Sequence, residues 1–138
     1  MIRRAAEADL PAAAALANEL WPEADPRELT GELREGAVFL VYTQDGAQGF
    51  AHCSLRHDYV EGTSSSPVGY LEGMYVREPF RRRGLARELL AACEDWARRQ
   101  GCREFAGDCE LTNAASIAFH TGMGFREANR IVCFTKDL

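Results

Sequence analysis

Long apolar runs, paired cysteines and clustered histidines are all missing from this sequence. No stretch approaches the roughly 20 apolar residues that cross a bilayer, so no membrane-spanning role is expected. The five cysteines (53, 93, 102, 109 and 133) contain no C-x-x-C and match no zinc spacing, and histidines 52, 57 and 120 form no i,i+4 pair. No metal site is expected, and the cysteines read as small apolar side chains. A nucleotide loop of the form G-x-x-x-x-G-K-[ST] is absent, as are internal repeats and any linker-like stretch. Met1-Ile2-Arg3-Arg4 leads into an alanine-rich segment broken by Asp9 and Pro11, which is not a secretory layout; the cytoplasm is the expected address. The 138 residues suffice for one domain, 1–138, with a substantial core.

Net charge also excludes something. At −5 the chain does not look like a general nucleic-acid binder. The charge is uneven, however: residues 77–103 hold eight arginines against Glu78, Glu88, Glu94 and Asp95. Residues 19–35 carry six acids against Arg27 and Arg34. One region can attract an anion while another attracts a cation; ordinary solvated helix faces would give the same count.

Periodicity predicts the order β-α-α-β-β-β-α-β-α-β-β. Ile2–Arg4 reads as an edge strand, and Asp9 with Pro11 as the start of a helix ending before Trp21-Pro22. A second helix runs from Pro26 to Glu35. Strands follow at Val38–Thr43, Gln48–Arg56 and Val68–Val76. Leu85, Leu89, Ala92, Cys93 and Trp96 then share one face of a helix from Gly84 to about Gln100. Phe105–Asp108 is a short strand, Asn113–Met123 a helix, and the tail from Phe125 a strand or hairpin. This is an α/β domain with helices flanking a mixed sheet.

The arginine-rich segment Glu78–Leu90, EPFRRRGLARELL, sits between a strand and a helix, with Gly84 at the helix mouth. First-turn N–H groups lack intrahelical acceptors, the helix dipole adds positive charge, and glycine admits a bulky anion. Arg81–Ala86 has the spacing R-x-x-G-x-A. In this strand–turn–helix context it resembles the pyrophosphate loop of the GNAT superfamily of acetyl-CoA-dependent N-acetyltransferases. That resemblance implies a largely antiparallel mixed sheet in which two parallel strands, Leu71–Val76 and Phe105–Asp108, splay around the cofactor arm. It implies acetyl-CoA as co-substrate, with Arg82, Arg83, Gly84, Leu85, Ala86 and Arg87 around the pyrophosphate. Met74, Tyr75 and Val76 would face the acetyl group and pantetheine arm, and Asn113 would touch that arm or serve as a helix cap only.

A closer resemblance, to aminoglycoside 6'-N-acetyltransferases, rests on ELWP (19–22), RHDYVEG (56–62), SSPVGYLEGMYV (65–76), FRRRGLARELL (80–90), GCREFAGD (101–108) and MGF (123–125). An aliphatic ammonium must lose a proton before attacking a thioester, so carboxylates are needed to hold and deprotonate it. Glu72 and Asp108, on neighbouring strands, could face one cleft. The resemblance makes both substrate-binding and catalytic candidates, Asp108 as the base, with a helix-entry cap and a plain surface strand residue as their structural alternatives. Trp21 and Tyr59 match aminoglycoside-contact positions, although a Trp at a helix end is also a common core residue; Asn129, beside Glu127, departs from the pattern by standing where close relatives can carry an acidic substrate contact. Direct transfer in a ternary complex is implied, with Cys109 a minor acyl-carrier option. No tyrosine follows the cofactor loop, so the acid that protonates the leaving thiolate is unassigned. A homodimer is implied by the relatives, and aminoglycoside resistance by the activity. The rivals are a GNAT enzyme for a polyamine, another small amine or a protein N-terminus, and a non-catalytic acyl-CoA-binding module.

Overall fold

Ala37–Val41 is buried at five consecutive positions, which requires cover on both faces of its strand. A computed structural model of residues Met1–Leu138 supplies that cover. Five strands, β1 (Ile2–Arg4), β2 (Ala37–Thr43), β3 (Gly46–Arg56), β4 (Val68–Val76) and β5 (Phe105–Gly107), lie in sequential order in one sheet. The first three pairings are antiparallel; β4 and β5 run parallel. Helices α1 (Leu10–Leu20) and α2 (Pro26–Leu33) pack Leu16, Ala17 and Leu29 onto Val38, Leu40 and Phe50. From the opposite side α3 (Leu85–Arg99) packs Leu89, Cys93 and Trp96 onto Phe39, Val41 and Ala51.

Local signals account for most boundaries. Pro26 opens α2 while the Asp25 carboxylate accepts from Arg27 N–H at 2.9 Å. Asn113 caps α4 (Ala114–Gly122), its side chain accepting from Ser116 N–H at 3.1 Å. Asp9 behaves differently from the expected cap. It makes no cap bond to α1. Its carboxylate instead takes two bonds from Arg3, one from Ala6 N–H and one from the Tyr42 hydroxyl.

The tail is the main correction. A strand or hairpin was expected from Phe125, yet no strand follows α4. Residues 126–138 are exposed, with Ile131, Val132 and Phe134 at 72%, 76% and 88%. Two contacts hold the start of the tail over the 57–66 loop. Asn129 donates to Glu61 at 2.8 Å, and Ala128 lies so close to Gly62 that a Cβ there would come within 2.5 Å of the Ala128 Cβ. A β-prone sequence forms a strand only where an edge is within reach, and these contacts direct the segment elsewhere.

Candidate active site

The β4–β5 ladder has three rungs, Gly69↔Phe105, Tyr70↔Ala106 and Leu71↔Gly107. There β5 ends, while β4 continues to Val76. Residues 72–76, including Met74, Tyr75 and Val76, therefore have no strand neighbour on that side, as the splayed arrangement requires. At the Val76 end, a cavity of about 290 Å³ is lined by Val76, Phe80, Arg81, Arg82, Gly84, Leu85, Ala86 and Arg87, with Phe119 of α4 and Met123 just after it.

Gly84 sits at φ 77°, and Arg82 before it at φ 62°, so the chain turns twice through the left-handed region on entering α3. Such turns aim successive N–H groups at one point. The first intrahelical bond is Glu88 N–H to Gly84 O at 3.1 Å. The N–H groups of Leu85, Ala86 and Arg87 thus lack helical acceptors. A Cβ on Gly84 would meet nothing within 4 Å. The arginines divide into two kinds. Arg81 donates to Val76 O at 2.6 Å, and Arg77 is forked onto Glu19. Arg82, Arg83 and Arg87 are exposed and form no ion pair.

The carboxylate pair lies beside the opening. In the β3–β4 register Cys53 pairs with Leu71 and His52 with Gly73, which leaves Glu72 as the extra residue of a β-bulge. The bulge turns Glu72 to the face that carries Ser54 and Arg56. Ser54 Oγ donates to Glu72 at 2.8 Å, and Arg56 grips both carboxylate oxygens at 2.6 and 2.9 Å. Two strand residues earlier on the same face is Tyr70, whose ring lies 3.9 Å below the Arg56 guanidinium and whose hydroxyl donates to Asp108 Oδ2. Burial, then Asp108, push the Tyr70 phenol well above its ordinary range, so it stays a proton donor at neutral pH. Asp108 itself is exposed just beyond β5 and caps no helix.

Trp21 borders the same face. A Cβ on Gly73 would lie 2.5 Å from its indole, so only glycine lets the ring rest on β4 beside Glu72. Trp21 is 39% exposed, neither core nor free. Tyr59 and Asn129 are brought together elsewhere, both donating to Glu61 at 3.1 and 2.8 Å. Glu127 is tied to Arg130.

Arg56, Tyr70 and Glu61 are the residues missed by reading motifs. Their partners lie at separations of 16, 38 and 68 residues, respectively, and no local pattern signals such pairs. Another is His120, which packs against Phe125 and Gly107; its Nδ1 meets Ser116 O at 2.7 Å while Nε2 is buried without a partner. Cys109 is exposed, with no base bonded to it.

Residues 3–125 match the Acetyltransferase (GNAT) family model. The chain is 49% identical to the aminoglycoside N(6')-acetyltransferase type 1 of Stenotrophomonas maltophilia, covering 99% of this chain and 93% of that protein. Its identity to the Serratia marcescens protein of the same name is 41%, with 90% of each chain covered. Among solved structures, AAC(6')-Iy bound to the bisubstrate analogue CoA-S-monomethyl-acetylneamine superposes with a TM-score of 0.92 at 36% identity, covering 100% of this chain and 98% of that one. With its open anion loop, its splayed parallel strands and these relatives, the chain belongs to the GNAT acetyltransferases, among the aminoglycoside N(6')-acetyltransferases.

Proposed function

We propose that residues 1–138 form one acetyltransferase domain that moves the acetyl group of acetyl-CoA to the 6'-amino group of aminoglycoside antibiotics, giving resistance to them. The observation that carries this reading is that β4, past the end of β5, runs from Glu72, with Asp108 just beyond β5, to Val76, which lines the cavity at the start of α3. Leu85, Ala86 and Arg87 hold the pyrophosphate of acetyl-CoA through backbone N–H groups, with Arg82 and Arg83 adding charge-assisted bonds. Gly84 keeps the approach open. Residues 74–76 align the pantetheine arm and acetyl group along the free side of β4, and Asn113 borders the arm while capping α4.

Transfer is direct. The substrate's 6'-ammonium gives a proton to Asp108, immediately or through one water, and the freed amine attacks the thioester carbon. A backbone N–H near Met74 stabilises the oxyanion as the C–N bond forms. The C–S bond then breaks as the attacking nitrogen, now cationic, gives its second proton to solvent, and the CoA thiolate takes a proton from solvent. Glu72 holds a second ammonium, and Trp21 supplies a flat face for a sugar ring. Tyr59, Asn129 and Glu61 form an outer polar rim. Five unbridged cysteines suit a reducing, cytoplasmic setting. No helix is long and apolar enough to cross a membrane.

A homodimer completes this reading. The tail exposes Ile131, Val132 and Phe134 together, and β5 has no neighbour on its outer edge. A second copy covering that apolar segment would account for both. Analytical ultracentrifugation should give a dimer mass, lost on replacing these three residues by serine.

The activity is tested by thiol release from acetyl-CoA with aminoglycosides that carry a 6'-amine and with matched 6'-hydroxyl compounds. The amines should turn over with a single acetyl group placed on the 6' nitrogen by NMR. Acetylation of another ring amine, or equal turnover of spermidine or a peptide amine, overturns the assignment.

A further inference from the structure

Asp108 is exposed and projects from the end of a three-residue strand, a position with little intrinsic rigidity. A proton acceptor must nevertheless stay within hydrogen-bond reach of the substrate amine. Only one side chain hydrogen-bonds the Asp108 carboxylate, the Tyr70 hydroxyl, and it takes Oδ2 alone. Oδ1 remains free for the amine or a bridging water.

Tyr70 is well placed to hold it. The residue is only 9% exposed and packs with Val60, Val68 and Ala106. Arg56, 3.9 Å above the ring, covers its face while gripping Glu72. The two carboxylates are thereby joined through one chain of contacts, Asp108–Tyr70–Arg56–Glu72. A fully packed core needs an apolar ring at position 70 and no hydroxyl; the hydroxyl has one partner, and that partner is the acid beside the opening.

We propose that Tyr70 is a positioning residue for the transfer reaction: its hydroxyl fixes the rotamer of Asp108 so that Oδ1 faces the substrate amine. The inference rests on the reading of Asp108 as proton acceptor.

The test is a kinetic cycle of Tyr70→Phe, Asp108→Asn and the double variant on the full chain. Tyr70→Phe keeps the packed ring and the stacked guanidinium and removes one oxygen. It should lower kcat for the aminoglycoside about tenfold, the scale of one hydrogen bond to a charged group, and leave KM for acetyl-CoA unchanged. Asp108→Asn should lower kcat by about 10²–10⁴-fold. In the Asp108→Asn background, Tyr70→Phe should have almost no further effect on kcat, because the hydroxyl acts through Asp108. A parent-like kcat for Tyr70→Phe, or the same tenfold loss in both backgrounds, overturns the proposal while leaving Asp108 as acceptor. A parent-like kcat for Asp108→Asn removes the acceptor reading and the proposal with it. A purely structural role would appear as a lowered melting midpoint with no kinetic coupling.

Discussion

The cofactor loop presents hydrogen-bond donors that nothing in the protein satisfies, whereas each carboxylate of the acidic face already has a protein partner. The N–H groups of residues 85–87 point outward from α3, and Arg82, Arg83 and Arg87 stand free beside them. Glu72, by contrast, is held by Ser54 and Arg56, and Asp108 by Tyr70. The difference follows from the kind of charge each end uses. Backbone N–H groups are partial charges, so leaving them open to solvent costs little and binding an anion needs no rearrangement. A carboxylate tucked against a sheet is a full charge, and desolvating it without a partner is costly. The Glu72 side chain is only 26% exposed, and Arg56 supplies its cation. Under the proposed function, the cofactor end is complete before binding, and the substrate end requires an exchange of partners.

The largest effect that would break this comparison lies at Gly84. A Cβ there meets nothing within 4 Å, so the main folding penalty is that of holding a branched residue at φ 77°, about 1–2 kcal/mol. The side chain would instead occupy the approach to the N–H groups. Losing about two bonds to a charged oxygen, at roughly 1.5 kcal/mol each, corresponds to about a hundredfold weaker acetyl-CoA binding. Calorimetry on folded Gly84→Val protein should show it. An unchanged affinity would mean that the pyrophosphate is held elsewhere.

The two ends also differ in how far sequence reveals them. The phosphate loop is local: strand, turn, glycine and amphipathic helix follow one another, and the helix expected over Gly84–Gln100 is found at Leu85–Arg99. The α/β layering was legible for the same reason, because apolar periodicity marks each element, whereas the parallel last pair was implied by the resemblance. The acidic face was half legible. That Glu72 and Asp108 lie on neighbouring strands was legible in the sequence, but Arg56 and Tyr70 join them only through the register of β3 on β4 and a bulge at Glu72. The tail failed outright as a strand, since pairing depends on a partner that no local pattern specifies. Tyr59 and Asn129, expected as substrate contacts, both donate to Glu61, a common partner that no local pattern signals.

A smaller effect should sharpen the idea of partner exchange. If Arg56 stands in for a substrate ammonium at Glu72, Arg56→Met frees that carboxylate while keeping an unbranched apolar stem over Tyr70. KM for a polycationic aminoglycoside should then fall a few-fold at low ionic strength, and the gain should shrink as salt rises. The melting midpoint should drop slightly, as expected for a partly exposed pair. A raised KM would mean that Arg56 assists binding directly, and the contrast between a prepared and an exchanging end would lose its basis.

The smallest expected effect comes from a carboxylate that serves as a yardstick for that pair. Asp9 is also gripped by an arginine, but far along the chain from the cleft, with Arg3, Ala6 N–H and the Tyr42 hydroxyl as its partners. Arg3 first, then Ala6 and Tyr42, hold its carboxyl down at about 2. Because this folded value lies below the ordinary aspartate value of about 3.9, the stability that Asp9 contributes is present above the ordinary value. It is lost as pH falls through the folded one. Asp9→Asn should therefore melt lower than the parent at neutral pH, and the gap should narrow as pH drops from about 4 towards 2. Its kcat and both KM values should stay at parent levels. Arg56→Met must depart from that pattern in KM if Glu72 is a site that changes partners; matching it would make the Arg56–Glu72 pair as structural as Arg3–Asp9.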